Sequence, residues 1–125
     1  MSDTRLVGTW TTRLDDDGRQ VPGQVLFTRD GGVVSTQVNT KSLGLGTWRS
    51  TGPDSFEYDF RILAVDDEGA HVGEARVHVE GSFVSDVSWH GTGGAQFFSP
   101  QGEKLRGHDG SKVTAEKTGD AGAAL

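Results

Sequence analysis

The sequence predicts an all-β domain, an antiparallel up-and-down barrel of eight or nine strands, and three observations carry that prediction. Nineteen glycines punctuate the 125 residues. Each glycine inside a helix costs roughly 1 kcal/mol relative to alanine, so helix is excluded over most of the chain. The longest glycine-free run, 53–68, places Phe56, Tyr58, Phe60 and Ile62 at every second residue, with Glu57, Asp59 and Arg61 between them. Period two is the mark of a half-buried strand. Finally, turn sequences recur at short, regular intervals, as they do in sandwiches and barrels.

Taken in order, the first strand covers 6–14 and ends in the turn Asp15-Asp16-Asp17-Gly18. Strands at 24–29 and 33–40 flank Asp30-Gly31-Gly32, a hairpin signal. A strand at 45–51 runs to Gly52-Pro53. The Phe56–Ile62 alternation is followed by a second one, Gly73, Ala75, Val77 and Val79 against Glu74, Arg76, His78 and Glu80. Asp66-Asp67-Glu68-Gly69 joins the two as a hairpin, with glycine supplying positive φ. Strands at 83–90, 95–99 and about 110–117 complete the set. The glycine-rich stretch His90-Gly91-Thr92-Gly93-Gly94 reads as a turn between two of them. One domain, 1–117, is expected, followed by a flexible Gly/Ala-rich tail at 118–125.

Short connections favour an up-and-down meander over Greek-key crossovers. Such a sheet hides its edges most completely by closing; a sandwich is the alternative. About eight strands leave an interior just wide enough for side chains or one small ligand.

Composition narrows the function classes. Apolar residues make up 33%, and glycine brings the sum to about 48%, normal for a globular domain. The net charge of −6 and the absence of any basic block longer than two argue against nucleic acid and anionic membranes as partners. With no cysteine, disulfides and thiolate chemistry are excluded. No apolar stretch follows a basic start, so a cytoplasmic location is expected. Arginine outnumbers lysine eight to four, a bias that fits a GC-rich bacterial genome.

Gly8-x-Trp10 on the first strand resembles the Gly-x-Trp signature of lipocalins and the wider calycin group. The resemblance implies that Trp10 plugs one barrel end and is covered by a basic side chain from the last strand, Lys112 or Lys117. The succession GTW, FTRDGG, LGTWRSTGPDSF and VDDEG, with a glycine-rich final third, is similar to small bacterial lipocalin-like barrels. Some relatives of that architecture are cofactor-free polyketide cyclases, such as spirotetronate cyclases. The lipocalin TDY-type motif and C-terminal helix are absent. Gly8-Thr9-Trp10 is echoed by Gly46-Thr47-Trp48, suggesting two strands that begin with the same corner geometry.

No hydrolase elbow, phosphate loop or zinc-protease motif occurs. His71 and His78 are seven apart on one strand and face opposite ways. His78 could neighbour His90, but no third ligand converges, so no metal is expected. The acidic turns at 15–17 and 66–68 lack calcium-loop spacing and read as solvated. Aromatic residues either pack a solid centre or line a cavity. Tyr58 differs from the rest because a buried phenol wants a polar partner, in the protein or in a ligand. On the strand 33–40, the polar face Ser35, Gln37 and Asn39 is expected to point outward.

These readings lead to a lumen that binds a small, largely apolar, polyketide-like molecule without a cofactor. The candidate lining is Trp10, Gln24, Trp48, Phe56, Phe60, Trp89 and Phe98, with Tyr58 as the candidate catalytic donor. Folding such a molecule for cyclisation or isomerisation is the leading expectation. A non-catalytic carrier, or a solid barrel that acts as an interaction module, are the alternatives. A homodimer is compatible with general frequency alone.

Overall fold

The computed structural model describes residues 5–120, and these form eight strands and no helix. The strands are β1 (Gly8–Asp16), β2 (Arg19–Phe27), β3 (Gly32–Gln37), β4 (Gly44–Gly52), β5 (Ser55–Val65), β6 (His71–Ser85), β7 (Ser88–Phe98) and β8 (Lys104–Asp120). Each pairs antiparallel with the next, and β8 returns to pair with β1, closing the barrel. Closure leaves no strand edge exposed, the physical reason a meander of this length curls on itself.

Most of the predicted turns are present. Asp17 (φ 54°) and Gly18 (φ 84°) take positive φ in succession, and Asp15 Oδ1 accepts from the Gly18 amide at 3.1 Å. Asp66 Oδ1 likewise accepts from the amides of Glu68 and Ala70, both at 2.9 Å. The last third is divided differently from expectation. Residues 83–85 extend β6, the turn falls at Asp86-Val87, and the glycine-rich stretch runs through the middle of β7. Gly91 and Gly93 are in-strand because a β-carbon there would strike the backbone and side chain of β6 at Glu80, His78 and Val79. Close strand approach, not a turn, is what these glycines serve. Eight strands result, the lower of the two expected numbers. β8 also starts earlier and continues to Asp120, so Gly119 and Asp120 pair with Thr9 and Gly8 of β1, while the register shifts at Thr118 between them and Lys117; residues 121–125 lie outside the described part.

The up-and-down order puts the turns after β2, β4 and β6 at one end and those after β1, β3, β5 and β7 at the other. The first end is solid. Leu6, Trp10, Phe27, Phe56 and Trp89 are almost fully buried there, and Phe27 contacts Trp48, Phe56, Tyr58 and Trp89 with ring centroids 5.1–6.4 Å apart. Trp10 and Trp48 each turn the indole N–H to a backbone carbonyl, Leu6 at 2.9 Å and Thr28 at 2.8 Å. This shared environment, rather than a shared corner, is what the two GTW triplets encode. Gly8 has φ 128° at the start of its strand, whereas Gly46 has ordinary φ within β4. Lys117, not Lys112, covers Trp10, its Nζ lying 5.4 Å from the ring centre and donating to the Arg5 carbonyl at 2.9 Å.

Gly81 faces this plug. A β-carbon there would press into the ring of Phe56, which is itself 1% exposed and cannot swing away. Gly81→Ala is expected to destabilise the barrel by about 1–3 kcal/mol, seen as a lowered denaturant midpoint. An unchanged midpoint would mean that the plug is loosely packed.

Candidate functional site

The other half of the lumen is hollow. A cavity of about 240 Å³ opens toward the β1–β2, β3–β4, β5–β6 and β7–β8 turns. Its floor is the Tyr58 ring, which stacks between Phe56 and Phe60 (centroids 6.3 and 6.0 Å) and meets Phe27 edge-on at 5.1 Å. Its wall is largely apolar, with Leu14, Val25, Phe60, Ile62, Ala75, Val77, Val79, Ala95, Phe97 and Val113. Alternation explains the set, because each strand sends every second side chain inward.

Polar groups are few and neutral in the depth of the cavity. Thr12 and Ser35 are 7% exposed and line it, as do Gln37, Asn39 and Ser111. The hydroxyls of Thr12, Ser35 and Tyr58 have no hydrogen-bond partner among the described residues. Burial pushes the Tyr58 phenol far above its usual value, so it stays protonated and can only donate or accept a neutral hydrogen bond. Asp16 and His108 stand near the mouth, and no lysine or arginine lines the cavity. Val38, Leu43, Leu63, Val72 and Leu105, all exposed, stand toward the same end of the barrel.

The structure brings together only part of the expected lining. Tyr58 and Phe60 are on the cavity wall. Trp10, Trp48, Phe56 and Trp89 instead form the plug, because they sit nearer the closed end of their strands. Gln24 is exposed on the outer face, since Val21, Gly23, Val25 and Phe27 take the inward parity of β2. Phe98 also lies off the cavity wall, and the Arg76 guanidinium stacks 4.0 Å over its ring. Phe97 takes the inward place, eight residues from Trp89 and hence on the same face. The polar face of β3 is corrected too. Ser35 and Gln37 point inward and Asn39 follows them, while Val38 is exposed. Thr12, Ala75 and Phe97 were legible only by carrying parity along unbroken strands from Trp10, Val79 and Trp89.

The outer wall holds a second cluster. His78 Nδ1 lies 2.6 Å from Asp59 Oδ1, and its Nε2 lies 3.8 Å from Glu57 Oε2 and 3.9 Å from Glu80 Oε1. Desolvation lowers the imidazole pKa, but the Asp59 hydrogen bond and the charges of Asp59, Glu57 and Glu80 outweigh it, giving a net rise. His78 does not neighbour His90, because Gly94 stands opposite it on β7 and Ser82 stands opposite His90. Beside it runs an open groove of about 520 Å³, whose mixed lining includes Asp59, Arg61, Arg76, Glu80 and Asp109.

A closed antiparallel barrel of eight strands, packed at one end and hollow at the other, is the class that this geometry defines. Its fold is similar to the solved structure of a redesigned beta barrel, with a TM-score of 0.63 over 94% of this chain and 97% of that one, at 16% identity. No family model matches the chain.

Proposed function

We propose that the hollow half of the barrel binds one small, neutral, largely apolar molecule through a carbonyl or hydroxyl group, as lipocalin-like barrels do. The observation that carries this reading is the convergence of three hydroxyls, Thr12, Ser35 and Tyr58, without hydrogen-bond partners among the described residues, on a largely apolar cavity. A few polar anchors in an apolar pocket are the usual make-up of a small-molecule site. A carboxylate or phosphate is disfavoured because no lysine or arginine among the described residues lines the cavity and Asp16 stands near its mouth. The volume is below the roughly 300–1,000 Å³ of drug-sized sites, so the cavity suits a compact ligand or one end of a longer one.

The test pairs a neutral ketone or lactone with the carboxylate of matching skeleton, using tryptophan fluorescence as readout. The neutral compound is expected to bind better. Tyr58→Phe is expected to weaken it about tenfold, the worth of one hydrogen bond. Folding stability should hold or rise slightly, since the hydroxyl has no hydrogen-bond partner among the described residues. Preference for the carboxylate, or unchanged affinity in Tyr58→Phe, would overturn the reading.

A catalytic reading is favoured by Tyr58 alone. A neutral donor at the cavity floor can polarise a carbonyl while the walls hold two reacting ends together. Such positioning is worth about 7–11 kcal/mol in well-oriented intramolecular reactions. A cofactor-free cyclase or isomerase would release a changed molecule; a carrier would release the same one, and mass spectrometry of the bound compound distinguishes them.

A further inference from the structure

The outer faces of β5 and β6 concentrate charge in a way that the barrel does not need. Glu57 and Glu80 stand directly opposite in the ladder, as do Asp59 and His78. Like charges in facing positions destabilise a strand pair, and here a third carboxylate stands beside them. Arg49 pairs with Glu57 Oε1, which leaves Oε2 turned toward the imidazole. His78 and Glu80 are two residues apart on one strand and therefore share a face. One donor atom each from Glu57, His78 and Glu80 lies within 4.8 Å of the other two.

We propose that these three side chains form a divalent transition-metal site, with His78 Nε2 and the carboxylates of Glu57 and Glu80 as ligands. The imidazole and carboxylate donors suit a first-row ion such as zinc. A tetrahedral ion with ligands at about 2.0–2.1 Å sets its donors about 3.3 Å apart. The present 3.8 and 3.9 Å separations therefore need to close by about 0.5 Å. Glu80, whose side chain is 69% exposed, has the freedom to close its share. Asp59 is a positioning residue, because its bond to Nδ1 fixes the ring orientation and leaves the Nε2 lone pair for the ion. Three protein ligands on an open wall leave the remaining coordination position to water. The proposal is independent of what the lumen binds.

The experiment is calorimetric titration of the full chain, free of any affinity tag, with zinc chloride. Saturable binding of one ion per chain is expected, and cobalt(II) at the same site should show the visible absorption of a nitrogen–oxygen ligand set. His78→Gln is expected to remove binding, whereas the triple variant His71→Gln, His90→Gln, His108→Gln keeps it. Glu80→Gln should weaken zinc by at least about tenfold. Asp59→Asn should weaken it about 10–100-fold and shift the cobalt spectrum, while the metal-free melting temperature stays close to that of the parent. If His78→Gln does not fold, Glu80→Gln decides by the same titration. No saturation by about 1 mM zinc, or undiminished binding in His78→Gln or Glu80→Gln, would overturn the site.

Discussion

Phe27→Ala is expected to produce the largest loss of stability of any single truncation in the barrel, about 3–5 kcal/mol. Phe27 is fully buried and touches four aromatic rings contributed by β4, β5 and β7. Removing its ring leaves a void bounded by side chains that are interlocked with one another, so collapse into it is limited. Total stabilities of domains lie near 5–15 kcal/mol, and the loss is therefore a large fraction of the whole. Chemical unfolding followed by fluorescence of the three tryptophans measures it directly, since Trp48 and Trp89 contact the truncated ring. A loss below about 1 kcal/mol would mean that the plug carries little of the barrel's stability.

The largest functional effect is expected from Ala75→Trp. Ala75 pairs with Ile62 and Phe97 and lines the cavity. An indole there occupies a large share of the 240 Å³ void without displacing the plug on the other side of Tyr58. Ligand affinity is expected to fall at least about a hundredfold, equivalent to roughly 2.7 kcal/mol, while the melting transition remains cooperative. Gln24→Trp, an outward substitution of the same size, should leave affinity unchanged. Binding that survives Ala75→Trp would place the ligand outside the lumen, the groove beside His78 being another hollow of sufficient volume.

How much of this was legible in the sequence varies by element. The β5–β6 hairpin was readable because alternation there is uninterrupted and the Asp-Asp-Glu-Gly turn is unambiguous. The β7 strand was not, because its five-residue stretch from His90 to Gly94 carries three glycines. Glycine signals a turn and a close strand approach with the same letter, and only the neighbouring strand tells them apart. With a turn placed at 90–94, no parity carries over from Trp89, and Phe97 and Phe98 are not distinguished. Once Trp89 and Phe97 lie on one strand, parity settles the choice.

The outer cluster illustrates a different limit. Asp59 and His78 are 19 residues apart, and although the turn sets the hairpin's register approximately, the bulge between Ala64 and Val65 that finally puts them face to face leaves no mark in the alternation. Ser35 was hidden too, since its inward direction goes against its polarity. A short strand with an apolar and a polar face is ambiguous when the lumen itself admits polar groups.

From the sequence alone came the all-β class, the glycine-driven exclusion of helix, most of the turns, and the period that divides each strand into two faces. These are local properties, fixed by backbone sterics and side-chain alternation over a few residues. Only the tertiary structure decided which face turns inward, where along the lumen the aromatic rings end and the hollow begins, and which charged side chains meet on the outer wall. Those depend on register and on closure of β8 against β1, relations between residues up to 112 apart, which no local pattern encodes.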